Sequence, residues 1–150
     1  MSLFGLFGPK MKKELLDSHL KNLWEVAMSD GHIDDTEVKL LYQIAKRHSV
    51  GKGRVNSVKK KIETIPFASP DNDRERFDQV YDLVMMMMAD GDIDDNEMKV
   101  CNKYAEKLGF DKRIVDELVY SISSNITVGN DPEETKERIK YMLKIEDSKA

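Results

Sequence analysis

Apolar residues recur at three- and four-residue intervals along nearly the whole chain, and no stretch alternates with period two for long enough to make a strand. Leu16, Leu20, Leu23 and Ala27, with Trp24 beside them, form the stripe of a first helix over about 11–29. Val38, Leu41, Ile44, Ala45 and His48 mark a second helix. Gly51 and Gly53 bracket a break, and Val55, Val58, Ile62 and Ile65 mark a third helix, which Pro66 stops. Ser69-Pro70 predicts the N-cap and first residue of a fourth, which carries Phe77, Val80, Tyr81, Val84, Met87 and Met88. Met98, Cys101, Tyr104, Ala105 and Leu108 mark a fifth. Asp111 caps a sixth, with Ile114, Val115, Leu118 and Ile122 on its face. Gly129-Asn130 is a loop, and Asp131-Pro132-Glu133-Glu134 opens a seventh helix bearing Ile139, Met142, Leu143 and Ile145. The prediction is an all-α fold of about seven helices.

The order of these elements is a duplication. Asp30-Gly31-His32-Ile33-Asp34-Asp35-Thr36-Glu37 returns sixty residues later as Asp90-Gly91-Asp92-Ile93-Asp94-Asp95-Asn96-Glu97, with six of eight positions identical. The flanking stripes are in phase. The chain therefore reads as one domain over about 11–146, built of three-helix units at about 11–66 and 69–126 and a final helix at about 131–146. A leader over 1–10 and a tail over 147–150 flank it. The offset also sorts single residues. Cys101 matches Leu41 on an inward stripe, which makes it a buried apolar residue rather than a nucleophile. Met85 to Met88 match Glu25, Val26, Ala27 and Met28, so at least three belong to the core and Met85 is the one left for the surface. Consecutive helical positions cannot converge on one soft metal ion.

The repeated turn has a structural reading that uses every residue. Gly31 or Gly91 ends one helix in a left-handed conformation. Asp34 or Asp94 caps the next, and Glu37 or Glu97 three residues later completes a capping box. Ile33 with Val38, and Ile93 with Met98, form hydrophobic staples, while Asp35 and Asp95 favour the positive helix end. A chemical reading competes with it. The pattern is also the second half of an EF-hand calcium loop, but the loop's first and third ligand positions are Val26 and Met28, or Met86 and Met88. Two of the usual oxygen ligands of an EF-hand are thus missing from each turn. If the two units pack about a pseudo-twofold axis, Asp30, Asp34, Glu37, Asp90, Asp92, Asp94 and Glu97 can still pool oxygens for Ca²⁺, Mg²⁺ or Mn²⁺. His32 stands opposite Asp92, so the two turns are not chemically equal.

Charge adds a second candidate surface. The net charge of −4 excludes no partner class, but its distribution is uneven. Between Val38 and Ile62 lie eight basic residues and no acid; from Asp71 to Glu97 there are ten acids against Arg74 and Arg76. Lys46, Arg47, Lys52, Arg54, Lys59, Lys60 and Lys61 form a solvated face or a docking face for acidic protein or lipid. Nucleic acid is not expected, since Tyr42 is the one aromatic interleaved with them. A single cysteine fits a reducing cytoplasmic setting. No apolar run reaches the roughly 20 residues of a membrane span. Phe4, Leu6 and Phe7 precede Lys10, Lys12 and Lys13, the wrong order for a secretory signal. They read as a leader that docks or frays, or as a foot on a membrane surface.

The paired pattern, with Ala89 leading one copy and Ser29 the other, and the seven predicted helices resemble the TerB-like (tellurite resistance B) family over roughly residues 10–145. The resemblance implies an internally duplicated, all-α, cytoplasmic bacterial domain. It further implies a role in tellurite and other stress resistance, metal binding through the acidic turns, and association with membrane complexes at the inner-membrane periphery. It supplies no enzymatic activity, and the chain carries no Gly-x-Ser-x-Gly elbow, His-Glu-x-x-His or phosphate-binding glycine loop. The expectation is a non-enzymatic interaction module with a protein partner, no small-molecule substrate and a divalent cation as its one cofactor. The alternative is an adaptor that docks through the basic face and uses the acidic turns only as caps.

Overall fold

The computed structural model describes residues 12–91 and 93–147. Among them are seven α-helices and no strand: α1 (Lys13–Met28), α2 (Asp35–Arg47), α3 (Lys52–Lys60), α4 (Asp73–Met87), α5 (Asp95–Lys107), α6 (Lys112–Thr127) and α7 (Pro132–Asp147), with a 3₁₀ turn at Ile62–Thr64. The first three helices begin at residues 13, 35 and 52, and the next three at 73, 95 and 112, so the sixty-residue offset holds at every start. It holds for side chains as well. Tyr42 on α2 donates to Asn56 on α3 at 3.0 Å, and Asn102 on α5 donates to Asp116 on α6 at 2.7 Å. The leader lies outside the described residues, and so does Asp92. No helix of the described residues is long and apolar enough to cross a membrane.

The two units share one interior. The most extensive helix pair is α1 against α4, one from each unit, and α1 also meets α5 as α4 meets α2. Leu20, Leu23, Trp24, Ala27, Val80, Leu83, Val84 and Met87 are all buried at this centre. Trp24 donates its indole N–H to the Val55 carbonyl at 2.9 Å, which ties α1 to α3. Helix α7 closes one end with Thr135, Ile139 and Met142 buried. Met86 and Met87 are fully buried, while Met85 and Met88 are half-buried against the core.

Several element boundaries differ from the sequence expectation, and each difference has a local cause. Helix α4 starts at Asp73 with Asn72 as N-cap, its side chain accepting from the Glu75 amide at 2.8 Å, and Ser69-Pro70 stays outside it. Tertiary contacts override the Ser-Pro signal there. Ser18 bonds both the amide and the carbonyl of Ala68, at 2.9 and 3.2 Å, and Lys21 donates to the Ile65 carbonyl at 2.7 Å. Phe67 stacks on Tyr104, with ring centroids 6.2 Å apart. The connecting segment is thus held against α1 and α5 and cannot coil. Helix α3 opens with Gly51 as N-cap and takes Gly53 into its first turn, so only one glycine marks the break. It gives way to the 3₁₀ turn well before Pro66.

Candidate metal centre

Each acidic turn begins where an apolar helix must stop. Gly31 and Gly91 adopt φ of +95° and +87°, and their amides close on the Met28 and Met88 carbonyls at 3.1 and 3.0 Å. The next helix then starts on an aspartate. Asp34 accepts from the Glu37 amide at 2.9 Å while Glu37 Oε1 accepts from the Asp34 amide at 3.2 Å, a complete capping box. The second copy departs from the expected pattern. Asp94 accepts from Asn96 and Glu97 amides, but both carboxylate oxygens of Glu97 are buried without a hydrogen-bond partner. Ile93 is also 47% exposed, so its staple is looser than that of the half-buried Ile33.

The two turns reach each other electrostatically. Glu37 and Glu97 are buried, and Glu37 Oε2 has no partner either. Burial, then the charges of Glu37, Asp90 and Asp30, push the Glu97 carboxyl up to about 8. Burial also raises Glu37, helped by Asp34, Asp30 and Asp90 against the opposing amide bond at Asp34. Of the seven expected ligands, Asp30, Glu37, Asp90 and Glu97 therefore act on one another between the two turns. Asp34 and Asp94 serve as caps. Asp30 is steadied by the His32 amide at 3.2 Å, and His32 itself points into solvent with its ring 77% exposed. Among the described residues, no three of these carboxylates bring oxygens within 4.8 Å of one another.

The basic face is less free than its sequence suggests. Arg47 donates to Asp82 at 2.5 Å, and Arg54 donates from two nitrogens to Asp17 at 2.9–3.0 Å. Lys52 lies over the Tyr42 ring and Lys59 over the Trp24 ring, at 5.2 and 5.0 Å from the centroids. Lys46, Lys60 and Lys61 remain exposed.

A second polar cluster escaped the sequence reading. His19, fully buried on α1, bonds Asp82 on α4 through Nε2 at 2.9 Å. His48, at the end of α2, brings its Nε2 to 3.9 Å from the same oxygen, and the two imidazoles meet edge to face at 5.8 Å. Burial alone would push Asp82 up. The hydrogen bond from His19 and the nearby His48 imidazole, with the charges of His19 and Arg47, outweigh it and hold the carboxyl well below its ordinary range. Sixty residues away from His19 and Asp82 stand Gln79 and Asn22, both buried on the same inward stripes, with their amide atoms unpartnered. That pairing of polar residues within two apolar stripes was the available signal. Beside the cluster lies an open groove of about 450 Å³ between α2, α4 and the start of α7, lined by Leu40, Ile44, Arg47, Tyr81, Met85 and Pro132.

Cys101 is buried, and its surroundings, with the nearby Glu97 charge, push the thiol up to about 12. It holds no reactive thiolate at neutral pH. Comparison of the chain with models of known protein families, with curated proteins and with solved structures found no match.

Proposed function

We propose that this chain is a non-enzymatic, TerB-like stress-response and interaction module of the cytoplasm, whose two acidic turns together bind one divalent cation, Ca²⁺, Mg²⁺ or Mn²⁺. The observation that carries the reading is the pair of buried glutamates, Glu37 and Glu97, with three unpartnered oxygens between them and with Asp30 and Asp90 close enough to raise their proton affinity. Buried carboxylates are normally satisfied, and a group of them sharing one region is a hard-cation site in waiting. Without the ion, a proton on Glu97 relieves the repulsion. With it, the ion takes the place of that proton and draws the N-termini of α2 and α5 together. The angle at each helix joint is then set by the cation, and a protein partner, in a membrane-associated complex, reads that angle.

The test is a titration of metal-stripped, isotope-labelled protein with each cation in turn, followed at the Gly31 and Gly91 amides. Saturable changes at both glycines that vanish in Glu97→Gln support a site spanning the two turns. Silence at both up to about millimolar metal, a range that covers weak calcium modules, refutes it. The second reading is an adaptor that docks on acidic protein or lipid, favoured by the exposure of Lys46, Lys60 and Lys61. Reversing the charge at Lys60 and Lys61 abolishes binding to anionic vesicles or an acidic partner on that reading and leaves the cation titration unchanged.

A further inference from the structure

We propose that His19, His48 and Asp82 form a transition-metal site at the junction of α1, α2 and α4, suited to Zn²⁺ and separate from the acidic turns. One ligand atom from each residue, a ring nitrogen of each histidine and a carboxylate oxygen of Asp82, lies within 4.8 Å of the other two. A tetrahedral zinc with bonds of about 2.0–2.2 Å holds its ligand atoms about 3.3 Å apart. The observed separations from Asp82 Oδ2, 2.9 Å to His19 and 3.9 Å to His48, bracket that value. His19 and Asp82 have to part by a few tenths of an ångström and His48 has to come closer by more, and His48 is the residue best able to move. It sits at the C-cap of α2, outside the regular helix, and its side chain is 25% exposed.

The chemistry of the set points to zinc rather than to the hard cations of the turns. Two imidazoles and one carboxylate suit Zn²⁺, whereas Ca²⁺ and Mg²⁺ ask for oxygen alone. Arg47 bonds the other oxygen of Asp82 and so orients the carboxylate with Oδ2 toward the histidines, the arrangement that an outer-shell partner of a metal ligand supplies. Nδ1 of His19 is buried with no hydrogen-bond partner, and the ring is held through Nε2 and its edge-to-face contact with His48.

The duplication provides its own control. At the positions sixty residues away the chain carries Gln79, Leu108, Asn22 and Lys107 in place of His19, His48, Asp82 and Arg47. Leu108, Gln79 and Asn22 are all buried there. The helix packing therefore accepts amides and a leucine at these places, and nothing in it requires two histidines around an ionised aspartate.

The experiment titrates the full-length, metal-stripped protein with Zn²⁺ by calorimetry, and with Co²⁺ by visible absorption, which reports tetrahedral coordination. The variants His19→Gln, His48→Leu and Asp82→Asn borrow residues that the fold already uses. One saturable Zn²⁺ equivalent is expected, weakened at least about 100-fold in each variant and retained in Glu97→Gln. Long-range ¹⁵N correlation spectra of the unmutated protein are expected to move His19 and His48 Nε2 together, a readout that stands even if a variant fails to fold. Three results overturn the proposal: no binding in the unmutated protein, binding indifferent to His48→Leu with both imidazoles unmoved, or binding lost in Glu97→Gln, which would put the zinc in the acidic turns.

Discussion

Glu97→Gln is the substitution whose consequences the structure lets one calculate. In the metal-free protein the Glu97 carboxyl is held up to about 8, against an ordinary 4.5. Between those two pH values the native protein keeps a proton that the unfolded chain has released. The resulting stability is complete below the lower value and is lost as pH rises through the higher one. From pH 6 to pH 8.5 the loss is about 2–3 kcal/mol. For a chain of this size that is a fall of roughly 5–10 °C in Tm. Glu37 is raised for the same reasons and adds to the slope in the same direction. Glutamine keeps the shape and removes the ionisation. The variant, measured by thermal denaturation in chelator at both pH values, is expected to lose most of the slope and to be the more stable protein at pH 8.5. Adding Ca²⁺ or Mn²⁺ at pH 8.5 is expected to restore the unmutated protein and leave the variant where it was. A variant with the slope intact, or one destabilised equally at both pH values, refutes the assignment of buried repulsion to Glu97.

Other substitutions test the packing around the two clusters. Arg47→Met leaves the Asp82 carboxylate buried with His19 as its main partner and is expected to cost about 2–4 kcal/mol in urea denaturation, whereas Lys60→Glu stays within about 0.5 kcal/mol; equal effects would return Arg47 to the docking face. Ser49 stands at φ +63° where the second unit has Gly109 at +103°. Ser49→Gly is therefore expected to stabilise the protein by about 0.5–1 kcal/mol, and Gly91→Ala, which meets no neighbouring atom, to destabilise it by about 1–2 kcal/mol through backbone strain alone. Cys101 is expected to react with a thiol reagent no faster than the protein unfolds; rapid modification of native protein would show that its burial is misjudged.

Most of the fold was legible because the apolar period is regular and written twice. The seven helices, the caps at Asp34, Asp94, Asp111 and Asp131, and the buried Cys101 follow from local spacing. The start of α4 did not, because Ser18 and Lys21, some fifty residues upstream, hold the preceding segment extended. The acidic turns were legible in part. Asp34 and Asp94 act as the caps that their spacing predicts, while Glu97, a capping-box residue by spacing, leaves its buried carboxylate oxygens without a hydrogen-bond partner. His19 and His48 were opaque for a different reason. Their meeting point, Asp82, lies on another helix of the other unit, and no short motif spans that distance.

The interior shared by α1 and α4 gives the duplication a meaning beyond repetition. The apolar interiors of the two units merge into one core, so the molecule is in effect a dimer whose halves are joined by the segment 61–72. Tethering raises the effective concentration of one half around the other to about the millimolar range. It also lets the halves differ. Two untethered copies of the first unit would set His19 against Asn22, and two copies of the second would set Gln79 against Asp82. The histidine–aspartate pair can be built only when unlike halves are obliged to meet, and the covalent link guarantees that they do.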